Sequence, residues 1–316
     1  MATILLTGAN GAVSSAAIAA LKSSGHKVIG LVRDAARAKE LGVELRVGDL
    51  ERPRTLEGAF DGVDTAFLLS PYGPLAPYYH SNALWAARQA GVRYVVRLSA
   101  VGAAHDAPTV NSRLHALNDA EVAASGIPFT ILKPHFFLQN LLASAPTIAK
   151  EGAMYWALGE AKVPGIDVAD IGEVAARILA DPGPHAGKTY TLTGGTALTM
   201  HQMAAAIGEA IGKPVKYVPI SITAMLEGLN AMGVSDYVEV AFRDYMTVYS
   251  QGWQSAVTDA VKRVTGKAPR TFAEFARRNA AGFNGKQYWR NNEKTDSIGS
   301  DLELPAHPST KRLACR

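Results

Sequence analysis

Thr3-Ile4-Leu5-Leu6-Thr7-Gly8-Ala9-Asn10-Gly11-Ala12-Val13-Ser14 is the stretch whose reading decides the fold. Residues 2–6 are a continuous apolar run, the pattern of a short strand buried on both faces. The run breaks at Gly8, and over 12–21 small and aliphatic side chains recur at helical spacing. Strand, glycine-bearing turn and helix in this order make a seat for a dinucleotide pyrophosphate. The turn lets backbone approach the phosphates, and the free N–H groups of the first helical turn, around Gly11, Ala12 and Val13, point at the negative charge. The usual fingerprint is Gly-x-Gly-x-x-Gly. Here it is Gly8-x-x-Gly11-x-x-Ser14, one residue wider and with serine in third place. That spacing alone fits any tight strand-to-helix turn. Its context favours a nucleotide: a second apolar run, 27–32, ends in Arg33, near where dinucleotide folds place the residue that reads the adenosine ribose.

Further along, 35–41 reads as a short helix, 44–47 as a third strand, and 53–60 as a helix with proline near its start. A fourth strand covers 63–69, a long helix within 74–90 is closed by Gly91, and a fifth strand covers 92–99. Residues 111–125 read as a helix ended by Gly126, and 129–132 as a sixth strand. This alternation implies an α/β fold, a Rossmann-type doubly wound parallel sheet with helices on both faces. From Pro134 the rhythm changes to helices and irregular pieces, with a strand-like stretch at 189–193, an isolated one at 215–218 and three or four helices over 221–283.

The expected division is a dinucleotide-binding domain over 1–133, with an amphipathic helix within 166–181 packing back on it. A smaller, mostly helical substrate-binding domain then covers 134–285. The ligand cleft is expected at the strand ends. Residues 286–316 lack apolar periodicity and are expected to be a disordered tail, with Tyr288-Trp289 the one feature favouring order.

Composition removes several classes. In 316 residues the net charge is only +4 and no basic stripe appears, so nucleic acid is not an expected partner. No stretch approaches the ~18 uninterrupted apolar residues of a membrane span. The single cysteine, Cys315, allows no intrachain disulfide, which fits a reducing compartment. With no basic, apolar leader in sight, the expected location is the cytoplasm. A small aromatic or conjugated substrate is the expected partner, and a homodimer stays open as the assembly.

Several segments carry a family resemblance. Thr7-Gly8-Ala9-Asn10-Gly11, Gly25-His26-Lys27-Val28, Leu31-Val32-Arg33-Asp34 and Gly48-Asp49-Leu50 are followed by Leu69-Ser70-Pro71, Leu98-Ser99-Ala100, residues 115–119, residues 126–134 and residues 265–272. Over roughly 2–283 the chain resembles the NmrA-like atypical short-chain dehydrogenase/reductase family. Triphenylmethane reductase, type-two quinone oxidoreductase and the isoflavone-reductase-like enzymes belong to it. The resemblance implies cofactor contacts at Thr7, Gly8, Asn10, Gly11, Ala12, Val13, Asp49, Leu69, Ser70, Pro71, Ser99 and Pro134.

Arg33 selects the cofactor. A free ribose 2′-hydroxyl is met by a carboxylate and a 2′-phosphate by arginine, so Arg33 points to NADP (NADPH), with Asp34 as the rival that would accept from the hydroxyl of NAD. A solvated charge cluster is the third reading. Most short-chain dehydrogenases use tyrosine with lysine four residues later, the lysine lowering the phenol's pKa. None of the eleven tyrosines here has that lysine. In its place the helix over 111–125 carries His115 and Asp119 on one face.

The resemblance implies a functional position at His115, where isoflavone-reductase-like enzymes have lysine and triphenylmethane reductase has histidine. It implies glutamate at the shorter Asp119. His115 and Asp119 are therefore the candidate catalytic pair, with a merely stabilising pair as the alternative. His115, Asp119 and His135 lack a further ligand at metal-site spacing, so no metal is expected. Gly208-x-x-x-Gly212-Lys213 is a helix C-cap by its position, not a phosphate loop.

Together these readings lead to an NADPH-dependent oxidoreductase that delivers hydride to a flat, electron-poor acceptor of quinone, iminium or enone type. A dinucleotide-binding redox sensor without turnover is the alternative. Aromatic residues Phe136, Phe137, Tyr155, Trp156, Tyr237, Tyr245, Tyr249 and Trp253, with Tyr72, Tyr78 and Tyr79 after the fourth strand, are the pool from which an acceptor site would draw.

Overall fold

A computed structural model describes residues 1–285. The tail reading for 286–316, with Tyr288, Trp289 and Cys315, lies outside the described residues. The chain runs β1 (Thr3–Leu6), α1 (Ala12–Leu21), β2 (Lys27–Val32), β3 (Glu44–Val47), β4 (Thr65–Leu68), α2 (Ala76–Gln89), β5 (Tyr94–Leu98), α3 (Val110–Ala124) and β6 (Phe129–Pro134). After these come α4 (Ala145–Glu151), β7 (Ala153–Trp156), α5 (Val168–Ala180), β8 (Lys188–Leu192), α6 (Met200–Ile211) and β9 (Lys216–Pro219). Five helices close it: α7 (Ile222–Ala231), α8 (Asp236–Ser250), α9 (Ala260–Thr265), α10 (Phe272–Arg278) and α11 (Ala280–Phe283).

Seven strands form one sheet in the order β3-β2-β1-β4-β5-β6-β8, every pairing parallel. The order reverses between β1 and β4, the switch point at whose carboxyl ends open parallel sheets bind their ligands. Both faces are covered, which is why the strands read as apolar runs. Ile4, Leu6, Phe67, Val96 and Leu132 face α1, α5 and α9, while Leu5, Ile29, Leu68 and Val95 face α2 and α3. Helices α1 and α5 meet at Gly172, where a Cβ would stand 2.6 Å from that of Ala16. A second core joins 136–158 with α6, β9, α8 and the last helices.

Four expectations need correction. Residues 35–41 form two short 3-10 turns, Ala35–Arg37 and Lys39–Leu41, separated by Ala38. In 53–60 only Pro53–Leu56 is helical, again as a 3-10 turn. Residues 188–192, expected with the substrate domain, extend the main sheet beside β6, and α9 packs into the sheet's core. The strand near 215 pairs in parallel with β7 in a separate two-stranded sheet. The expected return of an amphipathic helix to the sheet occurs as α5, capped by Asp167. Arg270 pairs with Asp170 and Glu173 on α5, and Arg278 with Asp167, so the 265–278 segment is clamped to that helix. Gly212 ends α6 in the left-handed conformation, as a C-cap does.

Candidate functional site

The change of strand order beside β1 places the Gly8–Gly11 turn at the carboxyl end of the sheet's switch point. Gly8 has φ +57°, and a Cβ there would also press on Leu69 Cδ2 at 3.1 Å, so glycine suits the position twice over. Gly11 is the N-cap of α1, and no side chain caps this helix and no acid lies in its first turn. Helices α3, α5, α6, α7 and α10 are each capped by their own Ser, Thr or Asp, whereas α2, α4, α8, α9 and α11, like α1, have no side-chain cap. An uncapped N-terminus facing a crevice suits an anion. Asn10 and Ala12 are at or near the surface while Val13 is buried. Ser14 Oγ donates to the Thr7 carbonyl at 2.8 Å and is fully buried, so its hydroxyl closes the turn from inside. Thr7 Oγ1 accepts from Leu69 N and donates to Leu69 O, which ties the end of β1 to the loop after β4.

Arg33 is exposed at the end of β2. Asp34 accepts from Ala36 N and so caps the next turn. Asp49 likewise accepts from Glu51 N at 3.1 Å, beside Arg52. Burial, then Glu51 and Asp49, push the Tyr79 phenol up, and Arg33 opposes them. Leu69, Ser70 and Pro71 line the other side, and Tyr72 beyond them is exposed.

Beneath β5 and β6, His115, Asp119 and Ser99 belong to a cluster whose two cations, Arg97 and Lys133, sequence reading missed. Arg97, fully buried in β5, pairs its charge with Asp119, Nε lying 3.2 Å from Oδ1, and its Nη1 donates to the Leu98 carbonyl. Asp119 also takes Lys133 Nζ at 3.2 Å and the Ser99 hydroxyl at 2.9 Å. His115 does not bond Asp119. Its Nδ1 faces the Arg97 guanidinium at 3.1 Å. Burial, then Arg97 and Lys133, hold the His115 imidazole well below the usual histidine range. Burial pulls the Arg97 guanidinium down to about 10 against Asp119 and Glu121, so it stays a cation at neutral pH. Asp119 therefore anchors two cations and a hydroxyl inside the protein. Ser99 spends its hydroxyl there, and the Pro134 carbonyl accepts from Val101 N. The available signal was Arg97 itself, a charge in the otherwise apolar strand Tyr94-Val95-Val96-Arg97-Leu98, which demands a buried carboxylate.

Rings of α8 and the segment after it cover the strand ends. Tyr237 meets Tyr72 edge-on at 5.2 Å, Tyr245 stacks on Tyr249 at 5.3 Å, and Tyr249 stacks on His135 at 5.0 Å. The Trp253 indole lies against Gly102, where a Cβ would sit 2.3 Å from the ring. Asn111, another residue not foreseen, donates to Tyr245 OH at 2.8 Å and accepts from Tyr237 OH at 3.0 Å, while Asp244 takes Val110 N at 2.8 Å. These bonds fasten α8 to the start of the helix that carries His115. Phe136 and Trp156 belong to the second core, as does Tyr249, with Tyr245 and Trp253 packed against it; Phe137 packs toward the sheet, and Tyr155 is exposed and bonds Glu151. Among the described residues no helix is long and apolar enough to cross a membrane, and no group of three His, Cys, Asp or Glu is placed to hold a metal ion.

Comparison with known proteins agrees with this geometry. Residues 1–276 match the model of the NmrA-like family. The NAD(P)H azoreductase of Xenophilus azovorans is 38% identical over 283 residues, 89% of this chain and 99% of that one. Quinone oxidoreductase 2 of Escherichia coli is 30% identical over 278 residues, 86% and 96% of the two chains. The crystal structure of an Escherichia coli NADPH-dependent quinone oxidoreductase with NADPH superposes with a TM-score of 0.78 at 29% identity, covering 86% of this chain and 98% of that one. Triphenylmethane reductase of Citrobacter sp. shares the fold, with a TM-score of 0.77 at 24% identity over 88% and 99% of the two chains. The doubly wound sheet, the cradle at its switch point and these matches have one reading: the chain belongs to the NmrA-like family.

Proposed function

We propose that this protein binds NADPH across the ends of β1, β2 and β4 and reduces a flat conjugated acceptor held under the rings of α8. It is an NAD(P)H-dependent oxidoreductase. Quinones, iminium ions and enones fit the site's chemistry, and the azoreductase relative adds azo compounds to the class. The observation that carries the reading is one juxtaposition: an uncapped helix start at a positive-φ glycine turn, with Tyr72, Tyr237, Tyr245 and Tyr249 gathered over the neighbouring strand ends.

The residues present fit a dinucleotide. A Cβ on Gly11 would stand 3.1 Å from the Gly8 carbonyl, so the loop is as close-packed as a backbone cradle requires. The first-turn N–H groups hold the pyrophosphate, and Arg33 takes the 2′-phosphate. Bound NADPH supplies hydride. The tyrosine rings orient a planar acceptor and exclude water from it. His115, half-buried on α3 and with its Nε2 bonded to no protein group among the described residues, is the donor offered to the acceptor's heteroatom. The reduced acceptor takes its proton from water once it has left the site. A quinone needs little proton donation, because its reduced anion is stabilised by conjugation, and this suits a site without the Tyr-Lys pair. Initial rates of NADPH oxidation with a panel of quinones and azo dyes test the reading. Turnover with planar acceptors is expected, whereas cofactor binding without oxidation by any of them would leave a redox sensor.

A further inference from the structure

His115 is oriented by a group that leaves it no choice of tautomer. A guanidinium carries five N–H donors and no acceptor. With Arg97 at 3.1 Å, Nδ1 must therefore accept, and the ring's proton is on Nε2. Arg97 has little freedom to move away. Its side chain is fully buried, held by Asp119 and by the Leu98 carbonyl, and Asp119 is fixed in turn by Lys133 and Ser99. Arg97 from β5 and Lys133 from β6 act on the imidazole, buried His80 from α2 is coupled to it, and Asp119 and Glu121 from its own helix act on Arg97 instead. Its nearest charged neighbours, Arg97 and Lys133, are cations, so a second proton on the ring is disfavoured.

We propose that Arg97 is a positioning residue that fixes His115 as the neutral Nε2–H tautomer, a hydrogen-bond donor to the acceptor's heteroatom that keeps its own proton. The consequence for catalysis rests on the reductase reading, while the tautomer itself does not. Such a donor stabilises charge arriving on oxygen or nitrogen as hydride adds, and water then protonates the released anion. Electron and proton balance thus close without the imidazole changing state. The substrate class follows: acceptors whose reduced form is a delocalised anion, such as a hydroquinone monoanion, are served. Simple ketones, whose alkoxide needs a proton delivered at once, are not.

The test uses the full chain with nitrogen-15-labelled histidine, the His115 signals being assigned with His115→Gln. Long-range proton–nitrogen correlation is expected to give the Nε2–H pattern with Nδ1 unprotonated at neutral pH. An Nδ1–H or doubly protonated ring would overturn the proposal. Arg97→Lys, also a donor without acceptors, is expected to keep the tautomer and most of kcat. Arg97→Met is expected to mix the tautomers and lower kcat with a quinone about tenfold or more, the scale of one lost hydrogen bond to developing charge, with KM for NADPH unchanged. Unaltered kcat in folded Arg97→Met would refute the positioning role. If Arg97→Met does not fold, the wild-type spectrum and Arg97→Lys still decide. Absence of turnover with every acceptor alongside the Nε2–H pattern would sink the reductase reading and leave Arg97's hold on His115 standing.

Discussion

Replacing Asp119 by asparagine removes one negative charge from the centre of the cluster under β5 and β6 and changes almost no volume. In the wild type the carboxylate lies 3.2 Å from Arg97 Nε, 3.2 Å from Lys133 Nζ and 2.9 Å from Ser99 Oγ. Arg97 has no exposed side-chain surface and cannot reach water when its partner is neutral, whereas Lys133 is about one-fifth exposed and keeps the Ala103 carbonyl. The loss is therefore concentrated on one buried cation. Breaking a buried pair from one side costs ~3–5 kcal/mol. Because Lys133 and Ser99 relax, the lower end applies, about 3 kcal/mol. At ~2–4 °C per kcal/mol for a chain of this size, the melting temperature falls by about 6–12 °C. Thermal and urea unfolding followed by circular dichroism measure it. Combining Asp119→Asn with Arg97→Met is expected to cost less than the sum of the two by at least ~1 kcal/mol. A drop under ~1 kcal/mol for Asp119→Asn, or simple additivity in the pair, would refute the cluster as described.

Arg33→Ala should remove most of the preference for NADPH over NADH, about ten- to a hundredfold, read by equilibrium binding of each nucleotide. Equal affinities in the wild type would dismiss Arg33 as the 2′-phosphate reader. Gly11→Ala should weaken NADPH binding far more than Ser14→Gly, since the new methyl crowds the Gly8 carbonyl and the phosphate seat. Ser14→Gly loses a buried bond to Thr7 O, with a stability cost of ~1–2 kcal/mol. The reverse order would make the Ser14 hydroxyl a phosphate ligand. Stability should also fall in acid: burial lowers His135 to about 4 in the folded state, against an unfolded ~6.5. As pH drops through 6.5 the unfolded chain gains a proton that the folded chain refuses until about 4, so ~3 kcal/mol is lost across that window, and buried His80 and His115 act in the same sense. Urea midpoints against pH should decline less steeply in His135→Asn, and equal slopes would contradict this.

How much of this was legible depends on whether the information was local. The sheet was, because strands covered on both faces carry continuous apolar runs such as Ile4-Leu5-Leu6 and Ala66-Phe67-Leu68, each followed by a helix at the expected interval. The turn after β1 was legible too, since Gly8 and Gly11 mark backbone geometry directly. At Ser14, which stands where the fingerprint has its third glycine, the hydroxyl bonds to Thr7 O. Short turns were misread as helices at 35–41 and 53–60, where a helical composition spans too few residues to complete more than one turn. Residues 188–192 were placed with the wrong core because pairing with β6 is decided some sixty residues away in sequence, by which edge of the sheet is free. Similarly, i, i+4 spacing put His115 and Asp119 on one face of α3 but was silent about what faced them. Arg97 comes between them from another strand and takes Asp119 as its own partner. Asn111, central to the attachment of α8, has only a polar side chain at a helix start to announce it.

The central claim is that hydride leaves NADPH in this site for a planar acceptor. Its most direct measurement is an anaerobic single-turnover experiment, mixing the NADPH-loaded protein with a quinone and following nicotinamide absorbance. The expected result is oxidation in one phase with an amplitude equal to the bound cofactor, slowed by deuterium on one face of the nicotinamide ring and not on the other. Retention of the reduced cofactor against every quinone and azo acceptor would contradict the account.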